Sequence, residues 1–216
     1  VEPGRWLRAG DAGLEPSADR AVATAIVGEF DPPDVAQRDS RERILAAVAS
    51  RPDVASRTAV PGHLTASGAI VDPETGRALL CFHPKVRRWI QTGGHADGDT
   101  NLRAVAWREA NEETGLAALA IWSIPVDLNV HPAGGTDPKI EPPLHLDTRF
   151  LIRCEAGRSH TETVSPEGLR LRWCGDRELE QLDVDPVTRR LVRAARALSE
   201  TLGPADGAAY QDPCVS

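Results

Sequence analysis

No apolar run in this 216-residue chain approaches the roughly 20 residues that a bilayer-spanning helix needs, so a transmembrane helix is not expected. The opening stretch VEPGRWLRAGD has no apolar core of the kind a secretory signal carries, and a cytoplasmic location is the expectation. A dense basic run is also missing, and the formal net charge is −7. That balance disfavours nucleic acid and anionic membrane surfaces as partners. Lysine is nearly absent: Lys85 and Lys139 are the only two, and the remaining positive charge sits on arginines that are scattered, not striped. Cysteines in CxxC spacing are lacking as well. Cys81, Cys154, Cys174 and Cys214 stand far apart, and three of the four lie within apolar runs. They read as buried free thiols in a reducing compartment, and no zinc site is expected.

What is present suits one ordinary domain with room for an extension. Residues 1–58 read as an N-terminal helical extension, 59–202 as the main domain and 203–216 as a flexible tail. In the extension, Ala21, Val22, Ala25, Ile26 and Val27 recur at helical intervals until Pro32-Pro33 interrupts them. A second helix, carrying Ile44, Leu45, Ala47 and Val48, runs to Ser50 and is closed by Pro52. These helices are predicted to pack either on the main domain or on the partner subunit of a homodimer.

From Leu64 the pattern changes to strands: LTASGAIVD, a turn at Pro73 to Gly76, then ALLCF, which together predict a hairpin. Gly93-Gly94 read as a loop, and a helix is predicted from about Thr100 or Asn101 to Gly115, a glycine placed to end it. Ala104, Ala106 and Ala110 keep one flank of that helix thin enough to lie close to a sheet. Further strands are predicted over Leu119 to Val130, Leu144 to Cys154 and Leu169 to Cys174, with loops at His131–Pro143 and Glu155–Pro166. A closing helix with Leu191, Val192, Ala195 and Leu198 on one face follows Pro186. Strands interleaved with helices make this an α/β chain with a mixed sheet covered on both faces.

The chemistry concentrates in the stretch GHADGDTNLRAVAWREANEETGL, from Gly94 to Leu116. On a helix Glu109, Glu112 and Glu113 stand at i, i+3 and i+4 and share one face. Carboxylates crowded in this way repel one another unless a hard divalent cation such as Mg²⁺ is held between them. The segment resembles the signature of the Nudix hydrolases, in which a Gly and a Glu precede Arg-Glu-U-x-Glu-Glu-x-Gly-U at fixed spacing, U being aliphatic. Gly94, Arg108, Glu109, Ala110, Glu112, Glu113, Gly115 and Leu116 fall in register. Thr100 stands where the family has its first Glu, with Asp99 and Asp97 close before it, which bears on metal number or rate.

The resemblance implies a Nudix-type α/β/α sandwich with a mixed sheet, and a Mg²⁺-dependent pyrophosphohydrolase, Mn²⁺ being an alternative ion. Its expected partner is a small molecule, a nucleoside diphosphate linked to another moiety. By the same resemblance Glu112 and Glu113 are metal ligands, Glu109 is a ligand or the base that activates water, Arg108 orients Glu109, and the Gly93 carbonyl completes the metal shell.

Outside the signature, EPPLHLDTRF puts His145, Asp147 and Arg149 on one face of a strand and Leu144, Leu146, Thr148 and Phe150 on the other. That polar face is either a substrate surface or the solvated side of an edge strand. Glu141 and Asp147 are the candidates for the extra acidic group that the family often carries beyond its signature. His95, directly after Gly94, is placed to touch phosphate, and His131, opening a loop, to touch the leaving group. His63 and His83 read as structural or surface histidines. Phe82 and Trp89 could stack a base, although core packing is the simpler expectation.

Two rival functions follow from the same residues. A nucleotide-sensing Nudix module without catalysis is favoured by Thr100 and disfavoured by the retained glutamates. An isopentenyl-diphosphate isomerase-like enzyme would need a Cys after the glycine pair, and His95 stands there instead.

Overall fold

The fold is organised around two long strands that lie side by side in the same direction. In the computed structural model, which describes residues 3–84, 86–133, 143–154, 163–166 and 168–203, β2 (Gly62–Val71) is buried along its entire length. It pairs in parallel with β8 (Leu144–Arg153), from Gly62 opposite Leu144 to Val71 opposite Arg153. A strand buried on both faces needs apolar or small residues throughout, and GHLTASGAIV and the later part of LHLDTRFLIR supply them.

Each strand of this pair takes two further neighbours, one at each half. Along β2 the first half pairs antiparallel with β5 (Thr92–His95) and the second with β3 (Ala78–His83). The first half of β8 pairs with β7 (Asp127–Pro132) and the second with β6 (Ala120–Trp122), both antiparallel. The sheet continues outward through β1 (Trp6–Leu7) on β6, and through β10 (Arg170–Cys174) and β9 (Thr163–Val164) beyond β3, with β4 (Arg88–Ile90) also on β3.

Helices cover both faces. On one side α1 (Arg20–Gly28), α2 (Val35–Ser50) and α3 (Leu102–Thr114) share a single apolar cluster with the sheet, joining Ile26, Val27, Ile44, Val48 and Val105 to Leu64, Ile70, Phe150 and Ile152. On the other, α4 (Asp176–Gln181) and α5 (Pro186–Thr201) bury Leu179, Leu191, Val192 and Ala195 against Ala69, Val71, Leu80 and Leu151. Adjacent positions of one strand thus feed opposite layers, as the two-residue period of a strand dictates. The chain is an α/β protein with a mixed sheet between helical layers.

The N-terminal helices lie on the same chain's core. Val48 and Ala49 carbonyls accept from Arg20, and those of Val27 and Gly28 accept from Arg41, so α1 and α2 are also tied to each other. The segment just before α1 is fastened to the start of α3. Thr100 is 2% exposed; its Oγ1 donates to the carbonyls of Ser17 (2.9 Å) and Asp19 (2.7 Å), and its backbone N–H also donates to Ser17. Asp99 accepts from the Ser17 amide, and the Asn101 side chain donates to the carbonyls of Gly13 and Glu15.

Several expectations need correction. The strand expected over Leu119 to Val130 is divided into β6 and β7 around Pro125, which lacks the amide a ladder requires. Gly93 and Gly94 belong to strand β5 and not to a loop, because β2 offers its edge to them. His131 lies on β7, opposite His145, instead of opening a loop. The face bearing Asp147 and Arg149 is not the solvated side of an edge strand, since β8 has neighbours on both sides along its length. Glu141 and the tail beyond Gly203 lie outside the described residues.

Replacing Thr100 with Val keeps the shape and removes a hydroxyl whose single proton is shared between the carbonyls of Ser17 and Asp19, each of which keeps a backbone N–H donor. A loss of about 1 kcal/mol is expected, read from the midpoint of urea denaturation. Thr100→Glu should cost more, because it directs a carboxylate at two carbonyl oxygens in a closed site; a Thr100→Glu protein as stable as the parent would contradict this.

Candidate active site

Helix α3 carries the glutamates at its C-terminal half, and Gly115 ends it in the left-handed conformation (φ 66°). Ala104, Ala106 and Ala110 are buried, so the helix lies flat on β2 and β5. That closeness leaves no room for side chains beneath Glu109. A Cβ on Gly94 would sit 2.3 Å from the Glu109 carboxyl carbon, and one on Gly93 would sit 2.5 Å from Ser67 Oγ.

The three carboxylates have different partners. Glu109, with 18% of its side chain exposed, accepts from Arg108 Nη2 at 2.7 Å. Glu113 accepts from the Gly93 amide at 3.0 Å, which ties the helix to β5. Glu112 is 55% exposed and 4.0 Å from Arg108 Nε. Arg108 also donates to the His95 carbonyl at 3.2 Å. It is the resident cation of the cluster, and its contact with Glu109 is the one the resemblance implied.

Oxygen donors on successive turns of one helix, partly open to solvent and backed by a glycine strand, fit a hard divalent ion of the Mg²⁺ class. The absence of a side chain on Gly94 leaves room for the Glu109 carboxyl at this surface.

Four histidines gather where the leading ends of β2 and β8 meet the trailing ends of β5 and β7. His63 is directly opposite His145, His131 is opposite His145 on the other side, and His95 faces Thr65. Ring centroids are 5.1 Å apart for His63 and His95, 5.1 Å for His63 and His145, 5.3 Å for His95 and His145, and 5.3 Å for His131 and His145. Burial lowers the proton affinity of all four imidazoles. His145 is pushed down to about 4, first by burial and then by His131.

Sequence reasoning placed His95, His131 and His145 as separate substrate contacts and set His63 aside. No spacing could have grouped them, because the four come together only through strand pairing.

Asp147 and Arg149 are further from the role expected of them. Asp147 is 2% exposed and Arg149 3%. The Asp147 carboxylate accepts from Thr65 Oγ1 at 3.1 Å, from Ser67 Oγ at 2.9 Å and from Arg149 Nε at 2.6 Å. Arg149 also lies 3.6 Å from Asp127, which is held in turn by Arg190. Held by these partners and shut from solvent, the two side chains tie β8 to β2 and β7. Phe82 and Trp89 pack edge to face at 5.4 Å, and Trp89 is 8% exposed, in keeping with core packing. Cys81, Cys154 and Cys174 are buried; Cys214 lies outside the described residues.

No family model and no curated protein matches the chain. Among solved structures it is similar to a hydrolase of the Nudix family from Clostridium perfringens, at 19% identity over 65% of this chain and 97% of that one, TM-score 0.44. It is also similar to the Nudix hydrolase RenU from M. smegmatis, at 17% identity over 67% and 90%, TM-score 0.44. A third is the Nudix domain of Shewanella oneidensis NrtR complexed with ADP ribose, at 15% identity over 63% and 88%, TM-score 0.42. No helix among the described residues is long and apolar enough to cross a membrane.

Gly94→Ala should push the Glu109 carboxyl aside while leaving the fold nearly as stable, since the group displaced is the end of a flexible side chain. Mg²⁺ affinity measured by calorimetry should fall by about tenfold; unchanged affinity would break the link between β5 and Glu109. The histidines predict acid sensitivity in chelator-treated protein. His145, facing His63, His95 and His131 from three neighbouring strands and Asp147 from its own, stays neutral when folded down to about 4, whereas an unfolded histidine titrates near 6.5. Between those values the unfolded chain binds a proton that the folded chain refuses, so stability falls as pH drops through this window. His145→Gln should flatten that slope, and equal slopes in both proteins would refute the assignment.

Proposed function

We propose that this chain is a Mg²⁺-dependent pyrophosphohydrolase of the Nudix type, which cleaves the diphosphate linkage of a nucleoside diphosphate joined to another moiety. The observation that supports it best is the placing of Glu109 between Arg108 and the side-chain-free surface of Gly94, with Glu113 anchored on the Gly93 amide. An exposed acidic helix with no function has no cause to press its carboxylates onto a glycine strand.

Glu112 and Glu113 are proposed as metal ligands, with Glu109 as a further ligand or as the base that takes the proton from the attacking water, and the Gly93 carbonyl as a backbone donor. Bound Mg²⁺ would offset negative charge on the phosphate oxygens and acidify water. Arg108 holds the Glu109 carboxylate in its orientation. His95 and His131 are proposed to face the phosphate and the leaving group. Expected occupants are small molecules, and Mn²⁺ is a plausible substitute ion.

The sensor alternative drew its support from Thr100, and that support weakens once Thr100 is seen fastening the N-terminal segment. The substitution has a packing reason that does not require catalysis to be lost. Against the isomerase alternative stand the thiols: burial pushes Cys174 up to about 11 and Cys81 further still, which leaves neither suited to passing protons at neutral pH.

A panel of nucleoside diphosphate derivatives incubated with Mg²⁺ or Mn²⁺ should yield a phosphomonoester from at least one class. Glu112→Gln should reduce that turnover on the order of 100-fold or more with an unaltered circular dichroism spectrum; near-parental turnover would remove the ligand role. In ¹⁸O-labelled water one product phosphate should acquire label, and absence of label from both products would exclude hydrolysis.

A further inference from the structure

We propose that His63, His95 and His145 form a binding site for a late first-row divalent ion of the zinc class, separate from the carboxylates of α3. The three imidazoles each offer a nitrogen, and those atoms lie within 4.8 Å of one another. They come from three different strands, β2, β8 and β5, so the backbone ladders hold them in place whatever the local sequence does.

His63 carries the argument furthest. It is 2% exposed, and its Nδ1 lies 3.4 Å from the Ala59 carbonyl. A carbonyl only accepts, so Nδ1 carries the proton and Nε2 holds a bare lone pair. That Nε2 is buried with no hydrogen-bond partner among the described residues. Leaving a buried acceptor unsatisfied is costly, and a metal ion removes the cost. An imidazole whose other nitrogen donates to a backbone carbonyl is the usual arrangement of a metal-bound histidine.

The donor type selects the ion. Imidazole nitrogen suits Zn²⁺, Co²⁺, Ni²⁺ or Cu²⁺ and competes poorly for Mg²⁺ or Ca²⁺, which take oxygen. Tetrahedral coordination with Zn–N bonds near 2.0–2.1 Å places ligand nitrogens about 3.4 Å apart. Reaching that spacing needs the rings to draw together by roughly 1 Å, which side-chain rotation of the half-buried His95 and His145 supplies. His131 sits at 5.3 Å, centroid to centroid, from His145, with its Nδ1 2.9 Å from the Asn129 amide nitrogen. Three protein nitrogens leave a fourth position for water, because the Asn129 amide donates to His131 Nδ1 and leaves the proton of that ring on Nε2. The cysteines gave no hint of such a site, because none of them is part of it.

The proposal does not depend on phosphate chemistry. Full-length protein purified without a metal-affinity step, stripped with EDTA and desalted, should bind Zn²⁺ stoichiometrically in calorimetry even in a large excess of Mg²⁺. Loaded with Co²⁺, it should show visible d–d bands of tetrahedral intensity. Because His63 variants could fail to fold, the test uses His145→Gln and His95→Gln, each checked by circular dichroism. Both should weaken Zn²⁺ binding more than about tenfold, while Glu112→Gln should leave it unchanged. The proposal is overturned if no stoichiometric Zn²⁺ binds, if both histidine variants bind it normally, or if Glu112→Gln abolishes it, the last outcome assigning the ion to the carboxylate helix. None of these results bears on whether the Mg²⁺ reaction occurs.

Discussion

The parallel pairing of β2 with β8 is the constraint from which the rest of the structure follows. Ten residues of each strand are in continuous register, and a parallel pair of this kind is covered on both faces. The helical layers supply that cover. The same pair sets the site: its leading end places His63 beside His145, and the strands added there bring His95 and His131 alongside. Glycine strand β5 lies on β2 under α3, and so the position of the glutamates is fixed by the sheet.

Within that pairing lies a charged patch that an apolar sheet would not choose. Asp147 and Arg149 of β8 face Thr65 and Ser67 of β2 and Asp127 of β7, with Arg190 of α5 closing the group. Buried ion pairs repay their desolvation poorly, and their benefit is often small or negative beside an apolar replacement. What this group does supply is register. A slip of one residue would turn Asp147 and Arg149 to the opposite face, away from every partner they have. The pairing that aligns the histidines is thereby protected against its nearest competitor.

The N-terminal helices illustrate how a signature position can be put to another use. Thr100, where a glutamate is expected, is buried against the backbone of residues 17 to 19 beside Asp99, while Asn101 holds the carbonyls of Gly13 and Glu15. A glutamate there would bring an uncompensated charge among carbonyls. The extension and the start of α3 therefore form one packing unit, and Ile26, Ile44 and Phe150 share one apolar cluster.

The sequence alone determined what is local. Helical intervals located α1, α2, α3 and α5, with both ends of α3 within a residue or two, the Pro-Glu-Thr-Gly turn marked the β2–β3 hairpin, and i, i+3, i+4 spacing put Glu109, Glu112 and Glu113 on one helical face. Each of these rests on contacts between residues close in the chain. Tertiary structure decided everything that joins distant segments: that Leu119 to Val130 splits in two, that Gly93-Gly94 are a strand, that Asp147 and Arg149 are enclosed, and that four histidines spread from His63 to His145 meet. The physical reason is that strand partners and register are chosen by the whole sheet burying its faces at once, and no window of neighbouring residues contains that information.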